Sequence, residues 1–516
     1  MRNRKFLLLL VAAALFAAPV RSAGLPPLPD KPGATVKGYV ECEGRGVEGV
    51  VVSDGFNVVK TDAEGRYWLK TKLSRSEFVM ISTPRGYDPE VYSGFLPKFF
   101  CALDKTVGKK EVQQFDFHLT RAANDDYSLL VVADEHVSGR VIDIPPGSGN
   151  VIAPVDSIQF RDDFMPRLVE YADSLMRHTP VYGLNLGDMT HSEYWFRNKT
   201  GMAEYLRLAK DTPFLMYHVI GNHDHGQTTI LSDSLGTVYF EMYLGPTCYS
   251  ANIGNMHYVF VDNILYGRED ASKSYELGLS DEIAHWLRQD LSYVPKDKTI
   301  MICAHSQMFK KHSSFSTRNR NYAVYRDELL KFRNVYSWAG HNHHTYIYNY
   351  NRSEQMPIEN LTAVTVTRST GSLRLNKHLN NDGTPQGYMI VDVDGDDVSW
   401  YYHSCGKDRS HQMRLYSPVR TGSDYVLANV WTWDDAWGPV EWWENGVKAG
   451  EMEPCEEFDP DYVDLYATVT NKTTRKYCQP AKSFHMFRIK PTPGVKAGEV
   501  RVTDRFGTTY TEHVSW

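Results

Sequence analysis

The sequence predicts a central α/β domain that is flanked by two small all-β domains. Three observations carry this prediction: strand-like alternation fills residues 35–121, strands and helices alternate from about residue 127 to 350, and strand-like sequence returns after Cys405. Regular alternation of strands and helices is typical of α/β layered folds, whereas closely spaced short strands with turn signals are typical of sandwiches. A chain of 516 residues has room for several domains of ~100–200 residues each.

The overall charge is mildly negative. Lys and Arg number 56 and Asp and Glu number 63, which gives a net charge of −7. This balance gives no reason to expect specific nucleic acid as the partner, because nucleic-acid binding relies on a strongly basic surface.

Residues 1–22 resemble a secretory signal peptide in composition. Three basic residues (Arg2, Arg4 and Lys5) precede an apolar stretch over 6–20, and small residues flank the expected cleavage before Ala23. A membrane anchor is the alternative, but the apolar stretch is shorter than the ~20 residues that a spanning helix needs. We therefore expect an exported protein, periplasmic or secreted, without a transmembrane segment in the mature chain. A Pro/Gly-rich linker over 23–34 follows.

The region 35–121 is expected to form the N-terminal β-sandwich. Its short strand-like pieces are VKGYVEC, GVVVSDG, VVKTDAEGRYWL and FVMIST, with a turn signal at Asp62–Gly65. This region resembles the small transthyretin-like or carboxypeptidase-regulatory sandwich. It has no cluster of metal-ligand residue types, so a spacer or docking role is the simpler interpretation.

The region 122–404 is predicted to be the α/β domain. A helix is indicated by Phe164, Leu168, Ala172 and Leu175 on one face, and another follows Ser280 as a cap. The remaining pieces, in chain order, are strand YSLLVVADEH, strand VYGLNLGD, helix MAEYLRLAK, strand PFLMYHVIGNHD, hairpin YSANIG with MHYVFVDN, strand TIMICAHS, helix YRDELLKF and strand VYSWAGHNHH.

The region 405–516 is predicted to be the C-terminal β-sandwich. It contains the Trp-rich segment ANVWTWDDAWGPVEWWENG and the strand-like segments YVDLYATVT and EVRVTDRFG. The Trp side chains either bind sugar or pack inside the protein, and packing is the favoured interpretation. Seven cysteines allow two disulfides within the flanking domains, Cys42 with Cys101 and Cys455 with Cys478.

Five polar motifs follow the predicted strands of the α/β domain. They are Asp134-Glu135-His136, Gly187-Asp188, Gly221-Asn222-His223-Asp224, His305, and Gly340-His341-Asn342-His343. In open α/β sheets, sites form in the crevice beyond the carboxyl ends of the strands. We therefore expect these motifs to meet in one cleft.

The residue types in these motifs predict a site with two metal ions. In extended backbone, residues two apart share a side, so Asp134 and His136 are expected to point together, while His223 turns away from Asn222. Carboxylate, imidazole and amide ligands without thiolates suit Mn, Fe or Zn. Seven candidate ligands are too many for one ion but fit two ions that share a carboxylate. Two divalent ions with two aspartates leave positive charge, which favours a phosphate ester as substrate.

The five motifs, in this order, resemble those of the calcineurin-like metallophosphoesterases. The resemblance implies a four-layer α/β/β/α sandwich that hydrolyses phosphate mono- or diesters with water activated by two metal ions. It also implies the following roles: Asp134, His136 and His343 hold the first ion, Asn222, His305 and His341 hold the second, and Asp188 bridges them. His223 then contacts the phosphate and assists the leaving oxygen, and Asp224 orients His223.

One position departs from the related purple acid phosphatases. Their Tyr ligand in GDxxY corresponds here to His191, in GDMTH, so a Tyr–iron site is not expected. His191 and Trp195 are candidate substrate contacts.

The substrate itself stays open at this point: a phosphorylated small molecule, a lipid head group or a glycan. Two alternative functions stay open. The domain could bind metal without turnover, or the chain could be a glycan- or surface-binding module with a weakly active or inactive phosphoesterase domain. The oligomeric state is not predicted.

Overall fold

The computed structural model describes residues 25–108, 111–140, 142–143, 151–153, 156–226, 232–267, 275–310, 317–353, 357–371, 378–469, 475–476 and 478–516. The predicted signal peptide lies outside these ranges. Within them, no helix is long and apolar enough to cross a bilayer.

The N-terminal region folds into two small sheets and one two-stranded ribbon, which pairs Val91–Tyr92 with Leu96–Pro97. One has the order β11-β1-β12-β7, with β2 and β5 also paired to β1, and the other has the order β10-β6-β3-β4. Its strands are β1 (Val36–Cys42), β2 (Arg45–Gly46), β3 (Val51–Ser53), β4 (Val58–Lys60), β5 (Arg66–Leu69), β6 (Phe78–Ser82), β7 (Tyr87–Pro89), β8 (Val91–Tyr92), β9 (Leu96–Pro97), β10 (Phe100–Ala102), β11 (Gln113–Gln114) and β12 (Phe117–Arg121). The predicted turn lies between β4 and β5, where Gly65 has a φ of 72° and its amide donates to the carbonyl oxygen of Asp62 over 2.9 Å.

Two larger sheets form the centre of the molecule, with orders β17-β16-β13-β26-β27 and β18-β19-β22-β23-β25-β24. β13, β16 and β17 are parallel, as are β19, β22, β23 and β25. The strands of this part are β13 (Asp126–Val132), β14 (Ile142–Asp143), β15 (Val151–Ala153), β16 (Val181–Asn185), β17 (Leu215–His218), β18 (Tyr249–Ile253), β19 (Met256–Val261), β20 (Ile264–Tyr266), β21 (Tyr275–Leu277), β22 (Thr299–Ala304), β23 (Asn334–Ala339), β24 (Tyr346–Asn349), β25 (Leu361–Thr365), β26 (Gly387–Asp394) and β27 (Asp397–Ser404).

Helices connect these central strands. The Ser280 hydroxyl accepts a hydrogen bond from the amide of Ile283, which confirms the predicted cap. The central helices are α1 (Asp156–Gln159), α2 (Met165–Met176, joined to α1 by a π-helical turn over Phe160–Phe164), α3 (Met202–Leu208), α4 (Asp233–Gly236), α5 (Val238–Leu244), α6 (Asp281–Ser292) and α7 (Tyr322–Leu329).

Alternate residues of β13 belong to different cores. Leu129 and Val131 pack in the cluster that also contains Phe260 of the second sheet. Leu130 packs instead in the cluster that contains Leu168 of α2. Because neighbouring side chains in a strand point to opposite faces, one face of the first sheet meets the second sheet and the other face meets helices.

The N-terminal region packs against the central part. The ring of Phe99 lies 4.4 Å from that of Tyr249 and 6.3 Å from that of Tyr217, centroid to centroid. Thr83 forms an isolated bridge to Ala251 of β18. The two cores are therefore continuous.

The C-terminal region forms two further sheets, with orders β28-β29-β33-β32 and β31-β30-β34-β35. Trp431 and Trp442 are fully buried, which agrees with packing as the role of these side chains. The strands are β28 (Met413–Tyr416), β29 (Val426–Val430), β30 (Glu441–Glu444), β31 (Val447–Glu451), β32 (Glu453–Phe458), β33 (Lys482–Ile489), β34 (Ala497–Thr503) and β35 (Thr509–Ser515).

Two sequence predictions for the flanking regions are wrong. The segment YVDLYATVT is not a strand: Pro460–Ala467 forms helix α9, after the short α8 (Pro418–Thr421). The carboxylate of Asp459 caps α9 by accepting from the amide of Tyr462, and Pro460 suits the first helical turn. None of the seven cysteines forms a disulfide, so the two predicted disulfides are also wrong. Cys42 and Cys101 lie on strands of different sheets.

Candidate metal centre

The five motifs follow five strands of the two central sheets. Asp134 and His136 follow β13, Asp188 follows β16, Asn222 and His223 follow β17, His305 follows β22, and His341 and His343 follow β23. The carboxyl ends of these strands therefore bring the seven predicted ligands into contact with one another.

Three of these side chains form a group that we name site A: Asp134, His136 and His343. Nε2 of His136 lies 3.1 Å from Nε2 of His343 and 3.8 Å from Oδ1 of Asp134. Nε2 of His343 lies 3.4 Å from the same oxygen. All three ligand atoms thus face a common point.

The other four form a group that we name site B: Asp188, Asn222, His305 and His341. Nε2 of His305 lies at its middle, 3.0 Å from Oδ1 of Asn222. The same nitrogen is 3.1 Å from Nδ1 of His341 and 3.3 Å from Oδ2 of Asp188.

Asp188 joins the two sites through one oxygen. Oδ2 is 3.3 Å from His305 in site B and 3.7 Å from Nε2 of His136 in site A. Oδ1 accepts a hydrogen bond of 2.7 Å from the amide of His223, so the orientation of the carboxylate is fixed.

These separations fit a pair of bound divalent ions. Metal–ligand bonds of ~2.1 Å place neighbouring ligands ~3.0–3.4 Å apart in octahedral or tetrahedral geometry, which is close to most of the distances above. Oδ1 of Asp134 is buried and has no hydrogen-bond partner among the described residues, as expected for a ligand atom that awaits a cation. The donor set is imidazole, carboxylate and amide without thiolate, which suits Mn, Fe or Zn.

The protonation of the rings agrees with this interpretation. Burial lowers the pKa of His136 well below its ordinary value and that of His341 to about 3, so both rings are neutral, the form that binds metal. Burial also acts to lower the pKa of His305, but Asp188 outweighs it and raises the value to about 10.

The ligand loops use left-handed backbone. φ is 57° at Asp134, 48° at His136, 56° at Asp188, 69° at His341 and 60° at His343. Asp134 and His136 do both face the centre, as predicted, but the reason offered for this is wrong, because the backbone at both residues is left-handed rather than extended. Strained conformations of this kind are typical of functional sites, where the surrounding structure holds them.

Arg368, which the sequence analysis did not identify, supports the loop of site A. This fully buried guanidinium donates to the carbonyl oxygens of Asp134 over 2.8 Å, Glu135 over 3.0 Å and Gly371 over 2.6 Å. Because it binds only backbone oxygens, no motif in the sequence marks it.

Two tyrosines on the hairpin of β20 and β21 contact site B. Tyr266 and Tyr275 are paired across this hairpin. The hydroxyl of Tyr266 donates to the carbonyl oxygen of Asn222 over 3.1 Å, and that of Tyr275 lies 3.2 Å from Nε2 of His341. Because Nδ1 of His341 faces site B, its Nε2 carries the proton and donates to Tyr275. Partners of this kind orient metal ligands.

His191 and His223 lie side by side next to site A. Their ring centroids are 4.0 Å apart, and they are 5.6 Å and 5.1 Å, respectively, from the ring of His136. The structure thus places His191, one of the two candidate substrate contacts, beside site A.

Asp224 does not orient His223. Its carboxylate accepts from the amides of Asp188 (2.6 Å), Thr190 (3.0 Å) and Gly221 (3.0 Å) and from the Thr190 hydroxyl. The predicted contact is wrong because backbone amides saturate both oxygens, and the carboxylate holds the loop of Asp188 instead.

Trp195 supports the same loop rather than a ligand. It is 7% exposed, and its indole nitrogen donates to Oγ1 of Thr190 over 2.9 Å. Its ring packs near Tyr239, and the substrate contact stays a prediction.

Comparison with solved structures finds several phosphatases. A dimetal phosphatase from Danio rerio is 14% identical, with a TM-score of 0.37 and coverage of 55% of this chain and 97% of that one. A purple acid phosphatase from yellow lupin (Lupinus luteus) seeds is 11% identical, with a TM-score of 0.37 and coverage of 70% and 68%. A 5'-nucleotidase from Candida albicans is 12% identical, with a TM-score of 0.31 and coverage of 55% and 52%. No curated protein matches the chain. Because the TM-scores are low, these likenesses do not decide what the chain does.

Family models match both flanks of the segment that carries the centre. The N terminal of calcineurin-like phosphoesterase matches residues 34–122, and the C terminal of calcineurin-like phosphoesterase matches residues 370–510. Residues 34–122 and 370–510 thus match the N-terminal and C-terminal models of the calcineurin-like phosphoesterases, on either side of the segment that carries the metal centre.

Proposed function

We propose that this chain is a two-metal phosphoesterase that hydrolyses mono- or diesters of phosphate. The observation that carries the proposal is the single oxygen of Asp188, Oδ2, which faces His136 of site A and His305 of site B. A shared carboxylate oxygen is the arrangement that holds two ions close together. Two such ions would supply the Lewis acidity that activates water and stabilises a phosphoryl group during in-line displacement.

We assign the phosphate contacts to His223 and His191. The amide of His223 is held by Asp188, and its carbonyl oxygen accepts from the amide of Ser192 over 2.9 Å. Both backbone contacts fix the ring beside site A. Our proposal is that His223 donates a proton or a hydrogen bond to the leaving oxygen and that His191 binds a phosphoryl oxygen.

The charge of the substrate matters for this role of His223. Burial lowers the pKa of the His223 ring, against the opposing effect of Asp188, so the ring is neutral before substrate binds. A phosphate beside it favours the protonated ring, because an adjacent negative charge raises the pKa of a histidine. The proton would thus be available only when substrate is present.

The layer arrangement, the domain boundaries, the cellular location and the substrate class are part of the same proposal. A four-layer α/β/β/α centre is supported by the separate cores on the two faces of β13. The domain boundaries at 121/122 and 404/405 stay predictions, as does export to the periplasm or the medium. The substrate is a phosphorylated small molecule, a lipid head group or a phosphorylated glycan.

The experiment is a substrate panel with protein that has been stripped by chelator and reloaded with Mn or Zn. The panel spans aryl phosphates, bis-aryl phosphodiesters, nucleotides, sugar phosphates and phospholipid head groups. We expect hydrolysis of at least one class, lost with chelator and restored by metal. Two bound ions without turnover of any class would overturn the proposal and favour the glycan- or surface-binding alternative, which metal-independent binding to glycans would then test.

A further inference from the structure

We propose that the chain holds a third divalent cation, at a separate site formed by His225, Asp233 and Asp262. Their ligand atoms all lie within 4.8 Å of one another. His225 follows the loop of site B, and Asp262 follows β19 directly. None of the three belongs to site A or site B, and the sequence motifs gave them no role.

The hydrogen bonds of His225 leave one nitrogen for a cation. Nδ1 lies 2.7 Å from the carbonyl oxygen of Gly221. A carbonyl only accepts, so Nδ1 carries a proton. Nε2 faces Oδ2 of Asp262 at 3.3 Å. In the neutral ring this nitrogen presents a lone pair to a carboxylate, which is repulsive unless positive charge lies between them.

A second buried histidine–aspartate pair in the same chain provides a comparison. Nε2 of His257 is 2.9 Å from Oδ2 of Asp290, an ordinary charge-assisted hydrogen bond. His225 and Asp262 are further apart, at 3.3 Å. The histidine and the shared aspartate of site B have that same separation. The His225–Asp262 separation thus matches the ligand spacing of site B and leaves room for an ion to bind both atoms.

The two carboxylates are held as metal ligands usually are. Oδ1 of Asp262 accepts from the amide of Ile264 over 3.0 Å, and Oδ1 of Asp233 accepts from the amide of Tyr266 over 2.9 Å. Asp188 likewise gives one oxygen to a backbone amide and turns the other to the centre. Such outer contacts orient ligands around a metal ion.

The charge of the group also calls for a cation. Burial lowers the pKa of His225, but Asp262 and Asp233 outweigh it and raise the value to about 9. Burial and the charge of Asp262 raise the pKa of Asp233 to about 7. Two carboxylates with one imidazole thus retain protons to balance their charge, and a divalent ion would replace these protons. Imidazole with carboxylates suits Zn or Mn better than Ca.

The position of this site indicates a structural role. Ile264 and Tyr266 belong to β20, and the hydroxyl of Tyr266 contacts the carbonyl oxygen of Asn222 in site B. An ion at His225 would tie the loop after His223 to this hairpin and so hold site B in place.

The test is to count and locate the ions in full-length protein reloaded with Zn. Elemental analysis should give three ions per chain, and anomalous diffraction should show a peak between His225, Asp233 and Asp262. The variant Asp262→Asn should hold two ions and keep the peaks at sites A and B. The matched control, Asp290→Asn, should hold three.

A wild-type protein with ions at sites A and B only would overturn this proposal and leave the proposed phosphoesterase intact. The wild-type crystals give this answer even if Asp262→Asn fails to fold. Empty sites A and B with a peak at His225 would support the third site and contradict the proposed function.

Discussion

The amide of His223 donates a hydrogen bond of 2.7 Å to Oδ1 of Asp188, and this contact sets how the two metal sites can share the carboxylate. It leaves Oδ2 alone to face His136 and His305. The residue proposed to act on the substrate thus positions the residue proposed to bridge the ions.

The first prediction concerns this bridge. Asp188→Asn should weaken metal binding at both sites together. The asparagine amide carries no charge, and its oxygen or NH₂ group would face both ions. Elemental analysis after dialysis against a weak chelator measures the loss. Asp290→Asn, a buried carboxylate away from the centre, is the control. Retention of a full complement at either site would show that Asp188 does not bridge.

The second prediction concerns Tyr275. Tyr275→Phe removes the acceptor for Nε2 of His341, and losing such a partner typically costs ~10–100-fold in metal affinity. We expect that loss at site B, with site A unaffected, in a competitive metal titration. Tyr348→Phe, whose hydroxyl bonds Ser353, is the matched control. Equal affinities in the two variants would assign Tyr275 a packing role only.

The third prediction separates catalysis from metal binding at His223. His223→Ala should keep both ions and lose more rate on alkyl phosphates than on p-nitrophenyl phosphate, because a basic leaving group depends more on proton donation. General acid assistance contributes typically ~10²–10⁴-fold. Rates across leaving groups of graded pKa measure this, with exposed His285→Ala as control. A uniform loss across the series would instead indicate phosphate positioning.

The fourth prediction concerns the close approach of two loops. A Cβ at Gly221 would lie 2.2 Å from Oδ1 of Asp188, whereas one at Gly226 would lie 3.8 Å from its nearest neighbour among the described residues. Gly221→Ala should therefore displace Asp188 and destabilise the fold by roughly 1–3 kcal/mol. It should also lower the affinity for the ions at sites A and B. Gly226→Ala should leave both properties near wild type. Thermal unfolding with and without metal compares them, and an unchanged Gly221→Ala protein would refute the tight packing.

Much of the centre could be anticipated because its ligands follow apolar strands. Asp134, Asp188 and His305 each lie within three residues of the end of such a strand, and strand ends meet at one edge of a parallel sheet. The shared strand direction within each sheet, and the packing of the two sheets on each other, brought these residues together. The reason offered for pairing Asp134 with His136 was wrong, since left-handed backbone, not extended backbone, places both at the centre.

Other features left no pattern that could be read from the sequence. Asp224 and Arg368 act on backbone amides and carbonyl oxygens, which every residue carries, so no partner type marks them. Tyr275 reaches His341 only because of the fold, from 66 positions away. Helix α9 was mistaken for a strand because the apolar alternation of YVDLYATVT outweighed the cap at Asp459 and the Pro that follows it.

The most direct test of the account is anomalous diffraction from crystals of the manganese-loaded protein. Apart from any peak at the proposed third site, we predict one peak at site A and one at site B, ~3.5–4 Å apart, with Oδ2 of Asp188 the shared ligand. A single peak, or two peaks that do not share Asp188, would contradict the two-metal mechanism.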